Sequence, residues 1–283
     1  MPRTLRAIAN KIPTLLRVHL LVCCLLCVST LAQAQVNTEK FHLGKDEQEG
    51  WQAELASRLA LTRGNVNVTD FSATISVRHQ RLWPKQMSTD APRILERRWT
   101  FVGNIRRARA LERIFSNQAF AHARWTRMWT RRLGTELFTQ LQFDEFIALR
   151  MRLLAGGYIR AVPLRTKHIT LAIGTGYMPE YELFDTEVVG QAYRNPRLNH
   201  RWSNYLMISG NVNPALQFQF TSYVQPRFDR FSDVHMLHSL IASLDVIEHV
   251  ALTVTAEVQA DLEPPPTIEP VDVRILPGLS MKW

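Results

Sequence analysis

Counting back from the end of the chain, Trp283, Met281, Leu279, Ile275, Val273 and Val271 share one parity. Lys282, Ser280, Gly278, Arg274 and Asp272 share the other. A period of two puts alternate side chains on opposite faces of a strand. The pattern predicts a C-terminal strand with one apolar face that ends on an aromatic, the form a barrel-closing strand takes where it meets lipid. Ile275, Leu279, Met281 and Trp283 are its lipid-side positions.

The same alternation runs back through the chain. Trp51, Ala53, Leu55, Leu59 and Leu61 alternate with Gln52, Glu54, Arg58 and Thr62, and the turn Arg63-Gly64-Asn65 leads into Phe71, Ala73, Ile75 and Val77. This predicts a hairpin with one greasy and one polar face. A polar connection over 79–92 precedes a strand over 95–104, and 104–132 is the hardest stretch to read. Its basic run 105–113 suits a helical turn or a loop, and Ala119, Ala121, Ala123 and Trp125 then resume a period of two. The clearest hairpin joins Leu137, Leu141 and Phe143 to Leu149, Met151, Leu153 and Ile159. Further strands fall at 169–176, 202–210, 216–224, 234–246 and 250–260, with long connections at 179–199 and 261–270. The count reaches about twelve. The fold class expected is all-β, a closed antiparallel transmembrane β-barrel over 51–283. A soluble periplasmic β-sandwich is the rival, since it alternates in the same way.

The N-terminal stretch adds export to either reading. Arg3, Arg6, Lys11 and Arg17 precede an apolar run over 20–31 and then Ala32-Gln33-Ala34, the layout of a signal peptide over 1–34 with cleavage before Gln35. A short polar periplasmic lead over 35–50 follows. About a dozen apolar residues are too few for a spanning helix. The three cysteines (Cys23, Cys24 and Cys27) lie inside the signal, so no disulfide framework is expected in the exported chain. The formal net charge of +9 includes the four signal cations, which leaves 30 basic against 25 acidic residues. That excess is too small to call for a nucleic-acid partner. Trp51, Trp99, Trp125, Trp129, Trp202 and Trp283 sit near strand ends, where interfacial girdles form. The location expected is the outer membrane of a Gram-negative bacterium. Outer-membrane lipid and lipopolysaccharide surround such a barrel, and the barrel-assembly machinery would engage its last strand.

The segments Gln142-Phe-Asp-Glu-Phe146, Asn117-Gln-Ala-Phe-Ala-His122, Pro226-Arg-Phe228 with Phe231-Ser-Asp233, and Gly50-Trp51 with Leu61-Thr-Arg-Gly-Asn65 carry a resemblance. They resemble the domain of unknown function 481 family, often labelled putative salt-induced outer-membrane proteins. The resemblance covers nearly all of the chain after the signal. It implies an outer-membrane β-barrel and no established activity.

Little in the sequence points to chemistry. There is no phosphate loop, metal-ligand spacing or nucleophile elbow, so no catalytic, cofactor-binding or metal set is expected and the chain is not read as an enzyme. An outer-membrane lipid-modifying hydrolase would have to draw on His122, His168, His235 or His238 with Ser232, Ser239 or Ser243. The stronger cluster is polar: Glu136, Gln140, Gln142, Asp144, Arg150, Arg152 and Arg160 share the inward parity of the 134–160 hairpin. A turn centred near Phe146 would set Gln142 opposite Arg150 and Gln140 opposite Arg152, with Asp144 diagonal to Arg150. Such a cluster holds a wall together by ion pairs, or lines a narrow anion-favouring passive channel.

Overall fold

A computed structural model describes residues 49–281, apart from 63–66, 85–93, 111–112, 192–194, 214, 248–249 and 267. The signal, nearly all of the lead and Trp283 therefore lie outside the described residues. Twelve strands follow one another: β1 Gly50–Thr62, β2 Val68–Leu82, β3 Leu95–Ala110, β4 Arg113–Met128, β5 Leu133–Asp144 and β6 Leu149–Arg165. Then come β7 Ile169–Phe184, β8 Arg197–Asn211, β9 Leu216–Pro226, β10 Val234–Ile247, β11 Val250–Asp261 and β12 Val271–Met281. Each pairs antiparallel with its sequence neighbours, so the sheet runs β1 to β12 in order.

Sequence alternation decides which face is which, and the faces are inverted relative to a soluble protein. Leu59, Leu137, Leu153, Ile159, Val254 and Val273 are exposed, whereas Arg78, Arg124, Glu136, Arg152, Glu180 and Arg201 are buried. Along β5 the same alternation runs from Gly134 to Asp144, with every even-numbered residue buried and the odd-numbered ones exposed or half-buried. The buried face is concave. Arg124 on β4 and Tyr223 on β9 are five strands apart, about 24 Å across a flat sheet. Their side chains nevertheless meet at 3.3 Å. The sheet therefore curls with its polar side inward.

Several elements are longer than the alternation predicts. The basic run 105–113, read above as a helical turn or loop, continues β3 to Ala110 and reopens as β4 at Arg113. Ile105, Arg107 and Arg109 are exposed and Ala108 is buried, so the stretch alternates once cations are allowed on the outer face. The connection at 179–199 is shorter than expected: β7 runs to Phe184, α1 (Thr186–Val189) follows, and β8 starts at Arg197. Glu180 and Glu182 made this segment look like a loop, but both point inward, where arginines receive them.

Tryptophans mark rows across the outer face. Trp51, His79, Trp99 and Trp125 are successive cross-strand partners on β1 to β4. Trp51 stacks near His79 at 4.7 Å and Trp99 near Trp125 at 6.0 Å. On β8, the Trp202 indole donates to Thr175 Oγ1 at 2.8 Å, so its polar edge is met by the neighbouring strand. Such amphipathic rings suit a membrane–water boundary.

Candidate functional site

The inward face is where the sequence concentrates its polar chemistry, and its side chains meet at two levels. At the first, β6, β7, β8 and β10 each contribute charges to one buried network. Arg152 Nε donates to Glu182 Oε1 at 2.9 Å and lies 3.2 Å from Glu180 Oε1. Arg201, with no exposed surface, donates from Nε to Glu180 Oε2 at 2.6 Å and from Nη1 to the Gln225 carbonyl at 3.1 Å. Its Nη2 approaches Asp233 Oδ1 at 3.0 Å, without the alignment of a hydrogen bond. Arg227 and Arg197 reach the other Asp233 oxygen at 2.9 and 3.3 Å. His235 stands between Glu180, Arg201 and Asp261, with Nε2 3.0 Å from the guanidinium and 3.2 Å from the Asp261 carboxylate. Four guanidinium groups thus meet the carboxylates of Glu180, Glu182, Asp233 and, through Arg227, Asp229, while Asp261 meets the His235 imidazole. Buried charges survive only when paired and hydrogen-bonded, and this balance meets that condition.

The second level is centred on Glu136 of β5. Its carboxylate accepts from Arg160 Nη1 at 3.2 Å, Tyr205 OH at 2.9 Å and Thr126 Oγ1 at 3.1 Å, with Arg124 Nη1 at 3.8 Å. Aromatic rings fill the space around it. Phe138 stacks on Tyr158 at 4.9 Å, and Tyr158 meets Tyr205 edge-on at 5.1 Å. The Tyr158 hydroxyl lies 2.7 Å from Ser203 Oγ. Beside them a cavity of about 30 Å³ is bordered by His122, Gln140, Tyr223 and Gln225. His122 Nδ1 meets Gln140 Oε1 at 3.3 Å, while His122 Nε2 and Gln140 Nε2 are buried without a protein partner. That volume and those groups suit one or two waters, each needing roughly 10–15 Å³ and two or more polar partners.

The residues picked from the sequence divide. Glu136, Gln140, Gln142, Asp144, Arg152 and Arg160 are buried on the inward face. Arg150 is not: it is exposed and pairs with Asp185 at 3.1 Å. The hairpin register also differs from the expected one. Gln142 faces Arg152 and Gln140 faces Leu154, because the turn is a 3-10 segment, Glu145–Ile147, with Ala148 in the left-handed region at φ 54°. An irregularity between Leu149 and Met151 breaks the phase of β6, so Leu149 is buried and Arg150 turns out. Asp144 caps that turn by accepting from the Phe146 amide at 3.0 Å instead of lying diagonal to Arg150. On β12, Ile275 is exposed beside Val273. Leu279 and Met281 pair with Leu252 and Val250, and their side chains lie outside the described residues.

Sequence reasoning missed Arg124, Glu180, Glu182, Arg201 and Asp233. Parity could have found Arg124, which keeps step with Thr126 and His122 on β4. Arg201 could have been found too, since Trp202 beside it marks the outer face.

Among the described residues, Glu180, Glu182 and His235 come close enough to share a cation. Both carboxylates already hold guanidinium groups, so a metal would have to displace Arg152 or Arg201. Among the described residues, the serines and histidines named from the sequence are not hydrogen-bonded to one another. His238 Nδ1 lies 2.9 Å from Ser222 Oγ, a pairing not expected from sequence, and Ser232 instead donates to Glu263.

No curated protein matches the chain. A solved structure described as "NanC porin structure in rhombohedral crystal form" aligns with a TM-score of 0.41 and 8% identity, over 75% of this chain and 94% of that one. The family described as "Protein of unknown function, DUF481" matches residues 58–283. With the match spanning every strand from within β1 to the end, the chain belongs to that family.

Proposed function

We propose that the protein is an outer-membrane β-barrel whose twelve strands close across the bilayer and whose interior is filled and ion-paired, giving it a structural role in the envelope. The inverted faces carry this reading. Lipid offers no partner to a backbone polar group or a charge, so a spanning sheet must turn apolar side chains out, pair its polar ones inside and leave no free edge. Arg274 on β12 comes within electrostatic range of Arg106 on β3 and Asp144 on β5, which supports a curl tight enough to bring the inward faces of the first and last strands toward each other. The barrel-assembly machinery would engage β12, and the outer face would meet lipid and lipopolysaccharide.

A narrow passive channel is the second reading, and one observation favours it. Glu54, Ala56 and Arg58, on the inward parity of β1, are exposed, whereas inward residues of β4 to β10 are mostly buried. Solvent can therefore run along the β1 side. A lipid hydrolase has less support, because the His238–Ser222 pair has no carboxylate or amide orienting the histidine among the hydrogen bonds described.

Fractionation with planar-bilayer recording of the refolded protein tests the proposal. The expected result is a detergent-dependent, heat-modifiable membrane protein without steady open-pore current. Release by high salt or urea without detergent would end the barrel reading. A steady current would replace the filled barrel with the channel.

A further inference from the structure

The outer face is not uniformly bulky. Across β1 to β5, Ala73, Gly103, Ala119 and Ala121 form the floor of an apolar groove, with Ile75 and Leu141 among its walls, enclosing about 490 Å³. The floor residues are neighbours by register: Gly103 pairs with Ala121, and Ile105 pairs with both Ala73 and Ala119. Among the described residues, no side chain fills the depression.

Charge frames one end of it. On β3 the outward positions run Trp99, Phe101, Gly103 and Ile105, then change to Arg107 and Arg109, both exposed. Arg107 is the next outward residue after Ile105, two residues or about 7 Å further along the strand. A carboxylate near this rim, Glu145, accepts from Asn117, the cross-strand partner of Arg107, at 2.7 Å. An apolar slot ending in two arginines has the shape and charge of a phospholipid: acyl chain below, phosphate above.

We propose that this groove binds an anionic phospholipid, with an acyl chain along Gly103, Ala119 and Ala121 and the headgroup phosphate on Arg107 and Arg109. The proposal rests on the barrel reading, since a lipid reaches the groove only if this face lies in the bilayer. At about 490 Å³ the groove is too small to seat more than a fraction of the chains of a many-chained lipopolysaccharide, which favours a two-chain phospholipid.

The test is native mass spectrometry of the full chain, released gently from vesicles holding equal phosphatidylglycerol and phosphatidylcholine. Heat-modifiable gel mobility reports folding in parallel. The wild type should retain phosphatidylglycerol preferentially. Arg107→Gln should cut that preference about fivefold while leaving phosphatidylcholine retention unchanged, as expected for one interfacial arginine. Ala121→Leu fills the slot with a side chain that lipid tolerates, and should reduce retention of both lipids. Ala119→Val is the smaller filling should the first variant fold poorly. Equal retention of the two lipids by folded wild type overturns the proposal, as does undiminished retention by a folded groove-filling variant. Displacement of phosphatidylglycerol by equimolar lipopolysaccharide overturns the phospholipid assignment. A wild type that never enters vesicles would instead indict the barrel reading, so the two failures remain distinct.

Discussion

Arg201 shows what a single side chain does in this interior. Its guanidinium has no exposed surface and holds Glu180, Asp233 and two backbone carbonyls. Replacing it with Gln takes one cation from each of two buried carboxylates, which keep Arg152, Arg197 and Arg227, so Arg201→Gln should cost about 3 kcal/mol, the lower end of the penalty for a broken buried pair. Urea unfolding in micelles measures it, and a loss below 1 kcal/mol would mean that water reaches these groups. The Arg152 and Glu182 pair should show coupling of about 0.5–3 kcal/mol in a double-mutant cycle. Glycine is most demanded at Gly176, among several positions where a Cβ would strike backbone. A Cβ on Gly176 would collide with the Gly157 carbonyl oxygen, a backbone atom that cannot swing aside, whereas one on Gly103 meets only the Ile75 side chain at 3.2 Å. Gly176→Ala should therefore destabilise by about 1–3 kcal/mol, the usual cost of overpacking, and by more than Gly103→Ala in the same assay. Equal effects would place the strain elsewhere. Parity in the sequence identifies which residues turn inward, but it is blind to these partners. Arg201 finds Glu180 and Asp233 through the curl of the sheet, and nothing local to residue 201 encodes that.

At the scale of the strand, the alternation is the fold's own instruction, and most of it is legible because the two faces of the sheet make opposite demands on successive residues. Leu153 on β6 and Val254 on β11 are outward and exposed. Leu153→Arg and Val254→Arg should each cost about 2–4 kcal/mol near the bilayer midplane and fall off toward the rims. Gel mobility of the refolded variants reads the effect. Wild-type insertion by both would show that these faces do not meet lipid. Legibility stopped where a local device breaks the period. The hairpin after β5 carries a 3-10 turn and a phase break at Leu149, so counting by twos from Asp144 carried Arg150 to the wrong face. The end of β7 failed for a different reason. Glu180 and Glu182 alternate correctly with Tyr181 and Leu183, but two carboxylates in a short stretch read as loop until their arginines on β6 and β8 are known.

For the molecule as a whole, the decisive question is what becomes of the two edge strands. Every other strand has partners on both sides, while β1 and β12 stand at the ends of the sheet order. A free edge would leave a row of amides and carbonyls unpaired, at several kcal/mol each if lipid surrounds them. β12 carries Pro277, which removes one donor and suits an edge or a loosely bonded seam better than a central strand. β1 is the least buried of the first six strands, which fits a seam more weakly packed than the β4–β10 wall. The expected outcome is that β1 and β12 nevertheless pair. The chain's cysteines all precede residue 28, so engineered pairs report cleanly once the N-terminal segment is omitted from the refolded protein. Ala53→Cys with Val77→Cys, partners in the β1–β2 ladder, is the positive control for oxidation across adjacent strands. Ser57→Cys should then form a disulfide with at least one of Val273→Cys, Ile275→Cys and Pro277→Cys in the membrane-inserted protein. These positions cover successive registers on one face, because a disulfide needs Cα atoms within about 7 Å. If the control pair oxidises and none of the three seam pairs does, the sheet is open at β1, and the solvent-exposed inward face of that strand becomes a lateral mouth rather than part of a closed wall.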